Sequence, residues 1–240
     1  MPSSSPRFAG VAKVDSLVSY CQVRFVPKAA LASRSTRRDA TREAILAAGL
    51  RCFGRDGYRR TALDRVAREA GISRAALYLH FANKEELFRA LVRDLHGRAL
   101  TEATVAAGGT GPLAERLTSV MVAKTARFFD LLRASEHADE FVDENHRLCG
   151  EISATFAAKH ARLIGRMIAA ATATGEITLS GVGTTATQIA ELLLDTAEGI
   201  KTRHRTILSS EAYRRRLGGA VRIVLAGLAV AAPGRRAQRR

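Results

Sequence analysis

Residues 63–80 hold the densest chemistry in the chain. They read Leu63-Asp64-Arg65-Val66-Ala67-Arg68-Glu69-Ala70, a turn at Gly71, then Ser73-Arg74-Ala75-Ala76-Leu77-Tyr78-Leu79-His80. Leu63, Val66, Ala67 and Ala70 recur at helical spacing. On the second segment Leu77 turns inward, with Ile72 before it and Phe81 after it, which leaves Arg74, Ala75, Tyr78 and Leu79 facing out. A helix-turn-helix of this spacing packs its second helix across the first and pushes the other face outward, where it can enter a DNA major groove. An arginine can bond guanine O6 and N7 together, and small apolar groups or a tyrosine ring can touch thymine methyls. Packing at the helix seam is the alternative for Tyr78.

Elsewhere the residues that could do chemistry are sparse. Asp139, Asp143 and His146 stand at i, i+4 and i+7, a spacing able to contribute metal ligands. A solvated acidic face accounts for them better, because one side of a helix supplies few ligands and no second cluster is evident; no metal is expected. His160 and His204 stand alone and read as structural or exposed. There is no Gly-x-Ser-x-Gly, phosphate-binding loop, His-Glu-x-x-His or Gly-x-Gly-x-x-Gly motif, and no serine has a plausible histidine and carboxylate pair. No catalytic activity and no cofactor are expected. Cys21, Cys52 and Cys149 are odd in number and far apart, which fits reduced thiols in a cytoplasmic protein. Cys52 falls on an apolar helix face, a structural position.

The elements that must hold the outward face are helices. Ile45, Ala48, Gly49, Cys52 and Phe53 mark one side of a helix beginning near Thr41, and Asp56-Gly57 ends it. Thr61 starts a second helix in a capping-box-like sequence, Gly71 stops it, and Ser73 caps a short third helix running to about His80. Asn83-Lys84-Glu85-Glu86 opens a fourth, with Leu87, Phe88, Leu91, Val92 and Leu95 on its apolar side. Further helices are expected at 112–133, 137–149, 150–174, 184–207 and 210–231. Breaks are expected near Gly150, through 175–183 and at Ser209-Ser210. No segment alternates like a strand, although Glu176 to Leu179 could be a short extended piece. The expected fold is all-α, a three-helix domain with a helix-turn-helix followed by a larger helical domain.

Charge divides the chain in the same way. Residues 1–100 hold 19 Lys and Arg against 9 Asp and Glu, residues 101–233 hold 15 against 14, and residues 234–240 hold four Arg and no acid. A basic segment beside a neutral one points to a polyanionic partner for the first alone. The expected organisation is a basic arm at 1–35, a DNA-binding domain at 36–84, a second helical domain at 85–232, and a basic tail at 233–240. The most apolar stretch, Leu217 to Pro233, is interrupted by Arg222 and is shorter than the roughly 20 residues a bilayer requires, so no membrane contact is expected.

Residues 41–92 resemble the N-terminal domain of the TetR family of bacterial repressors. The resemblance rests on Phe53-Gly54-Arg55-Asp56-Gly57-Tyr58, Thr61, Val66-Ala67-Arg68-Glu69-Ala70-Gly71-Ile72-Ser73, Leu77-Tyr78 with Phe81, and Asn83-Lys84-Glu85-Glu86-Leu87. It covers under a quarter of the chain with highly specific spacing. It implies that Thr61 and Ser73 hold phosphate from helix starts, where free N–H groups and the dipole favour an anion. It implies that Arg74, Ala75 and Tyr78 face base edges beside the outward Leu79, and that His80 and Lys84 clamp the flanking backbone. Arg37 and Arg38, just before the first helix, would add backbone or minor-groove contacts. Ala75-Ala76 stands where many relatives have Gly-Thr, which removes a hydroxyl from the reading face.

The resemblance also implies a C-terminal domain that pairs two subunits and encloses a ligand. Leu192, Leu193 and Ile200, with Leu217, Val221, Val224 and Leu228, are the stripes for a four-helix seam between subunits. Periodicity alone fits an internal core equally well. Phe128, Leu132, Phe141, Phe156 and Met167 are candidates to line the ligand pocket, and ordinary core is the alternative for each. The function expected is that of a sequence-specific regulator of transcription, a homodimeric repressor released from double-stranded operator DNA by a small-molecule effector. A helical assembly protein or an activator on the same fold is the alternative.

Overall fold

The computed structural model describes residues 34–204 and 206–229, with side chains from Arg37 onward. Residues 1–33 of the expected arm at 1–35, Cys21 and the basic tail at 233–240 lie outside the described residues; Arg34 and Ser35 fall in the first helix. Every regular element among the described residues is a helix, as the apolar periodicity predicts. They are α1 Arg34–Asp56, α2 Leu63–Glu69, α3 Arg74–Tyr78, α4 Lys84–Ala107, α5 Leu113–Ala134, α6 Ala138–Ala173, α7 Ala186–His204 and α8 Ser210–Gly227.

Local signals account for most of the boundaries. α1 ends at Gly57, whose φ of 82° is the left-handed conformation that favours glycine. After α2, Gly71 N–H bonds Arg68 O at 3.1 Å and Ile72 N–H bonds Ala67 O at 3.0 Å. That pair of bonds is a Schellman stop, with Gly71 at φ 69°. Asn83 Oδ1 accepts from Glu86 N–H at 2.8 Å while Glu86 Oε2 accepts from Ala82 N–H at 2.7 Å, closing the start of α4 reciprocally. Thr185 and Gln188 do the same for α7, at 3.2 Å and 2.9 Å.

Four sequence expectations are corrected. α1 begins at Arg34, so Arg37 and Arg38 lie inside the helix rather than before it; Thr41 Oγ1 donates to Arg37 O at 2.9 Å, one helical turn back. α2 begins at Leu63 with Ala62 as its N-cap and no side-chain cap, so Thr61 does not cap it. No break falls near Gly150, because α6 runs unbroken for 36 residues. A glycine inside a helix costs about 1 kcal/mol, which burial of Leu148, Cys149 and Ile152 around it offsets. The last helix ends at Gly227 rather than residue 231. Segment 175–183 is a loop whose Ile177 forms an isolated antiparallel bridge with Ala229, in keeping with the short extended piece expected there.

The chain forms two compact units. One comprises the described residues up to Leu95 together with Asp130–Ser153; the other comprises His96–Phe129 and the described residues from Ala154. The first is therefore wider than the 36–84 span. Its core is an aromatic cluster in which Phe88 lies 5.5 Å from Phe53, 5.1 Å from Tyr58 and 5.1 Å from Phe141. The tilted and edge-on contacts are the favoured ring geometries. The core of the second unit gathers Leu117, Met121, Ile164, Ile168, Leu193, Leu217 and Val221, with Phe129 stacked on Tyr213 at 4.2 Å. Cys52 and Cys149 are buried free thiols, and burial raises both above the usual thiol range, Cys149 to about 11. Among the described residues no helix is long and apolar enough to cross a membrane.

Candidate nucleic-acid interface

The outward face of α3 is built by one buried residue. Leu77 is 0% exposed and roots the short helix, while Leu79 is 77% exposed and Tyr78 42%. Ser73 supplies the N-cap, its Oγ accepting from Ala76 N–H at 3.1 Å. The first amides of a helix have no intrahelical partner, so those of Arg74 and Ala75 open outward at this end. Arg74 Nη1 lies 2.8 Å from Asp64 Oδ2 on α2, and its guanidinium sits 5.6 Å from the Tyr78 ring. Arg74, Ala75, Tyr78 and Leu79 therefore share one solvent-facing surface, as the sequence predicts.

α1 supplies the flank of that surface. Arg37, Arg38 and Thr41 join Leu79 and His80 in lining a concavity of about 470 Å³. Burial first, and then Arg38 and Arg42, hold the His80 imidazole below the usual histidine range, so at neutral pH the ring offers one N–H donor and no charge. Arg42 lies 5.4 Å over the Phe81 ring. Thr41 and Arg42 were not singled out from sequence; their place beside Arg37 and Arg38 on the first turns of a longer α1 was the missing signal.

Two of the expected DNA-contacting side chains are committed elsewhere. Thr61 is 2% exposed, and its hydroxyl donates to Gly57 O at 2.6 Å and Cys52 O at 3.3 Å. It ties the end of α1 to the start of α2 instead of facing solvent. Lys84 Nζ donates to Tyr58 O at 2.9 Å and Arg59 O at 3.1 Å and stands 4.5 Å from the Tyr58 ring centre. An ammonium has three N–H donors, so Lys84 keeps one beyond these two carbonyls.

The other expected residues divide between the units. Leu132 and Phe141 fall in the unit that holds the helix-turn-helix, Phe141 against Phe88, whereas Phe128, Phe156 and Met167 fall in the other. Phe128 and Phe156 come together on His96, at 4.7 Å and 5.3 Å. Met167 belongs to the second core. Of the seventh- and eighth-helix stripe, Leu193, Leu217, Val221 and Leu228 are 0–3% exposed inside their own unit. Leu192 is 53% exposed, and Ile200 and Val224 are half-buried; these three have surface left to offer a partner. Ile223, 76% exposed on α8, joins them. Asp139, Asp143 and His146 lie exposed on α6, and among the described residues no group of three side chains is placed to hold a metal. His160, expected to be structural or exposed, is fully buried.

The chain is similar to known proteins. The profile of the bacterial regulatory proteins of the tetR family matches residues 45–91. The DNA-binding transcriptional repressor TetR of Mycobacteroides abscessus is 32% identical over 139 residues, 54% of this chain and 71% of that repressor. The HTH-type transcriptional regulator TtgR of Pseudomonas putida is 45% identical over 65 residues, 26% of this chain. The chain spans 31% of TtgR's length, and less than half the length of the first curated relatives it matches. Among solved structures, SmeT, the repressor of the Stenotrophomonas maltophilia multidrug efflux pump SmeDEF, superimposes with a TM-score of 0.59 at 24% identity. The overlap covers 81% of this chain and 93% of SmeT, which has also been solved as a complex with triclosan.

Proposed function

This chain belongs to the TetR family of bacterial transcriptional regulators, and from that premise we propose that it is a homodimeric repressor released from its operator by a small molecule. The observation that carries the reading is the contrast on α3, where Leu77 is fully buried and Arg74, Ala75, Tyr78 and Leu79 face outward. Arg74 would read a guanine edge, and Ala75, Tyr78 and Leu79 would pack on thymine methyls. Ser73 and the amides it leaves open would meet phosphate, joined by Arg37, Arg38, His80 and the remaining donor of Lys84. Thr61 would support this surface from within.

On this reading residues 36–84 carry DNA binding and residues 85–232 carry the subunit and ligand contacts. The exposed Leu192 and Ile223, with Ile200 and Val224, would form the seam between two subunits. A symmetric dimer would set two recognition helices roughly 34 Å apart, matching a palindromic site. An effector bound in the second unit, with Phe128 and Phe156 among its contacts, would favour a conformer whose recognition helices are mis-spaced. Only a difference in its affinity for the two conformers can produce release.

The test is binding of Arg74→Ala and Tyr78→Ala to operator and to unrelated DNA, with sedimentation to count subunits. Both variants should keep the fold and lose operator preference. Undiminished sequence-specific binding by both would refute the assignment.

A further inference from the structure

The second unit holds an unusual group of basic and aromatic side chains, drawn from four helices and mostly half-buried around the fully buried His160. His96 of α4 is flanked by Phe128 of α5 at 4.7 Å and Phe156 of α6 at 5.3 Å, its plane within 13° of the Phe156 ring. Lys201 Nζ of α7 stands 5.9 Å from the Phe128 ring centre, and Lys159 Nζ stands 4.8 Å from that of Phe156. Lys124 of α5 is half-buried and lies within electrostatic reach of His96, His160 and Lys201, and of the carboxylates Glu198 and Asp195. It makes no ion pair among the described residues. His160 is 0% exposed; its Nδ1 bonds Phe156 O at 2.8 Å, while Nε2 has no hydrogen-bond partner.

We infer that this cluster is the effector site and that it takes an aromatic anion, held by Lys124, Lys201 and His160 and stacked with His96, Phe128 and Phe156. The inference rests on the reading that this unit receives a small molecule, and it adds the chemical class. The sign of the charge follows from the balance of groups. Glu198 is already paired to Lys201 at 2.6 Å, and Asp195 is the other carboxylate near Lys124. A cationic ligand would meet two ammonium groups, with Glu198 already paired and only the solvent-exposed Asp195 left beside them. A carboxylate or sulfonate would give Lys124 the ion pair it lacks and His160 Nε2 an acceptor once that nitrogen is protonated. Buried charges are stable in proteins when they are paired, so the pairing favours the anion over an isosteric neutral ligand. Burial, the largest cause, lowers Lys124, His96 and His160 from their ordinary values, with Glu198 opposing it at Lys124 and His96.

The signal for this cluster is faintly present in the sequence. Lys124 follows Val120 and Met121 and precedes Phe128 at helical spacing, so a charge interrupts an apolar stripe.

The experiment compares 2-naphthoate with neutral 2-naphthamide on the full chain, by calorimetry and by the shift in thermal midpoint. Naphthoate should bind at least tenfold more tightly than the amide. Lys124→Met should erase that preference while leaving the circular dichroism spectrum unchanged, and Lys124→Arg should keep the preference. Equal binding of the two probes, no binding of naphthoate, or a preference that survives in Lys124→Met overturns the inference. Operator binding measured on the same samples separates the two readings. Specific DNA binding without naphthoate preference overturns the anion site alone; naphthoate preference without specific DNA binding overturns the repressor reading and supports the site.

Discussion

Arg74 Nη1 lies 2.8 Å from Asp64 Oδ2, across the turn that joins the two helices of the motif. Both side chains are well exposed, at 66% and 48%. An exposed pair of this kind contributes little, typically below about 1 kcal/mol. The pair matters for what it does to the reading face: a carboxylate there competes with DNA for the guanidinium. Asp64→Asn should leave the thermal midpoint nearly unchanged and raise affinity for unrelated DNA at low salt, narrowing the preference for operator. Arg74→Ala should cost about 1–3 kcal/mol of operator affinity. Fluorescence anisotropy with operator and scrambled duplexes reads both, and a loss of affinity for both duplexes in Asp64→Asn would sink the prediction.

Thr61 makes the opposite case, a side chain whose work is internal. Its hydroxyl serves Gly57 O and Cys52 O from a buried position. Replacing it with valine preserves the shape and leaves Gly57 O without its hydroxyl donor, which costs about 1–3 kcal/mol. Thr61→Ser should restore most of the loss. Urea unfolding measures the stability, and operator affinity measured where all variants are folded should stay within about twofold of the parent. A drop of tenfold or more under those conditions would place the hydroxyl on phosphate instead.

Thr61 also shows where sequence reading stops. The turn residues and caps at Gly57, Gly71, Ser73 and Asn83 are legible because their partners lie within a few positions along the chain. The same local logic makes Thr61 a helix cap, and it fails because the hydroxyl bonds back to carbonyls four and nine residues earlier. Gly150 misleads for a related reason: its exposed backbone position looks like a break, while the buried neighbours that keep α6 continuous are contributed by tertiary packing. The cluster around His96 is almost silent in sequence, since its members come from positions 96 to 201 on four helices. The recognition face is legible because one short segment encodes it whole.

Gly57 and Gly71 share a left-handed backbone but differ in their surroundings. A Cβ at Gly57 would collide with Glu140 Oε2 and crowd the His137 ring at 3.2 Å, whereas one at Gly71 would meet nothing within 4 Å. Glu140 Oε1 accepts from Arg59 N–H at 2.6 Å, so the carboxylate cannot swing away without losing that bond. Gly71→Ala should cost about 1–2 kcal/mol for the backbone alone. Gly57→Ala should cost about 1 kcal/mol more, the worth of the displaced hydrogen bond. Denaturant titration of both variants, and of each combined with Glu140→Ala, checks this: the extra cost at Gly57 should shrink when Glu140 is absent, leaving what the His137 ring 3.2 Å away imposes, and equal costs in the parent background would contradict it.

His96 sets a pH dependence with a definite sign. Burial first, then Lys124, His160 and Lys201, with Glu198 opposing, lower its imidazole from 6.5 to about 4. The unfolded chain therefore binds more protons than the folded chain between those values, and stability rises with pH across the interval. The contribution is complete above about pH 6.5, declines as pH falls toward 4, and is gone below it; its ceiling is about 3 kcal/mol. His160 and His80 are lowered as well and act in the same direction, so the variant must isolate His96. Urea unfolding from about pH 7.5 to about pH 4.5 should show a steep loss of stability in the parent and a shallower one in His96→Phe, which keeps a ring between Phe128 and Phe156. An unchanged slope in His96→Phe would mean that the imidazole is not held neutral by its surroundings.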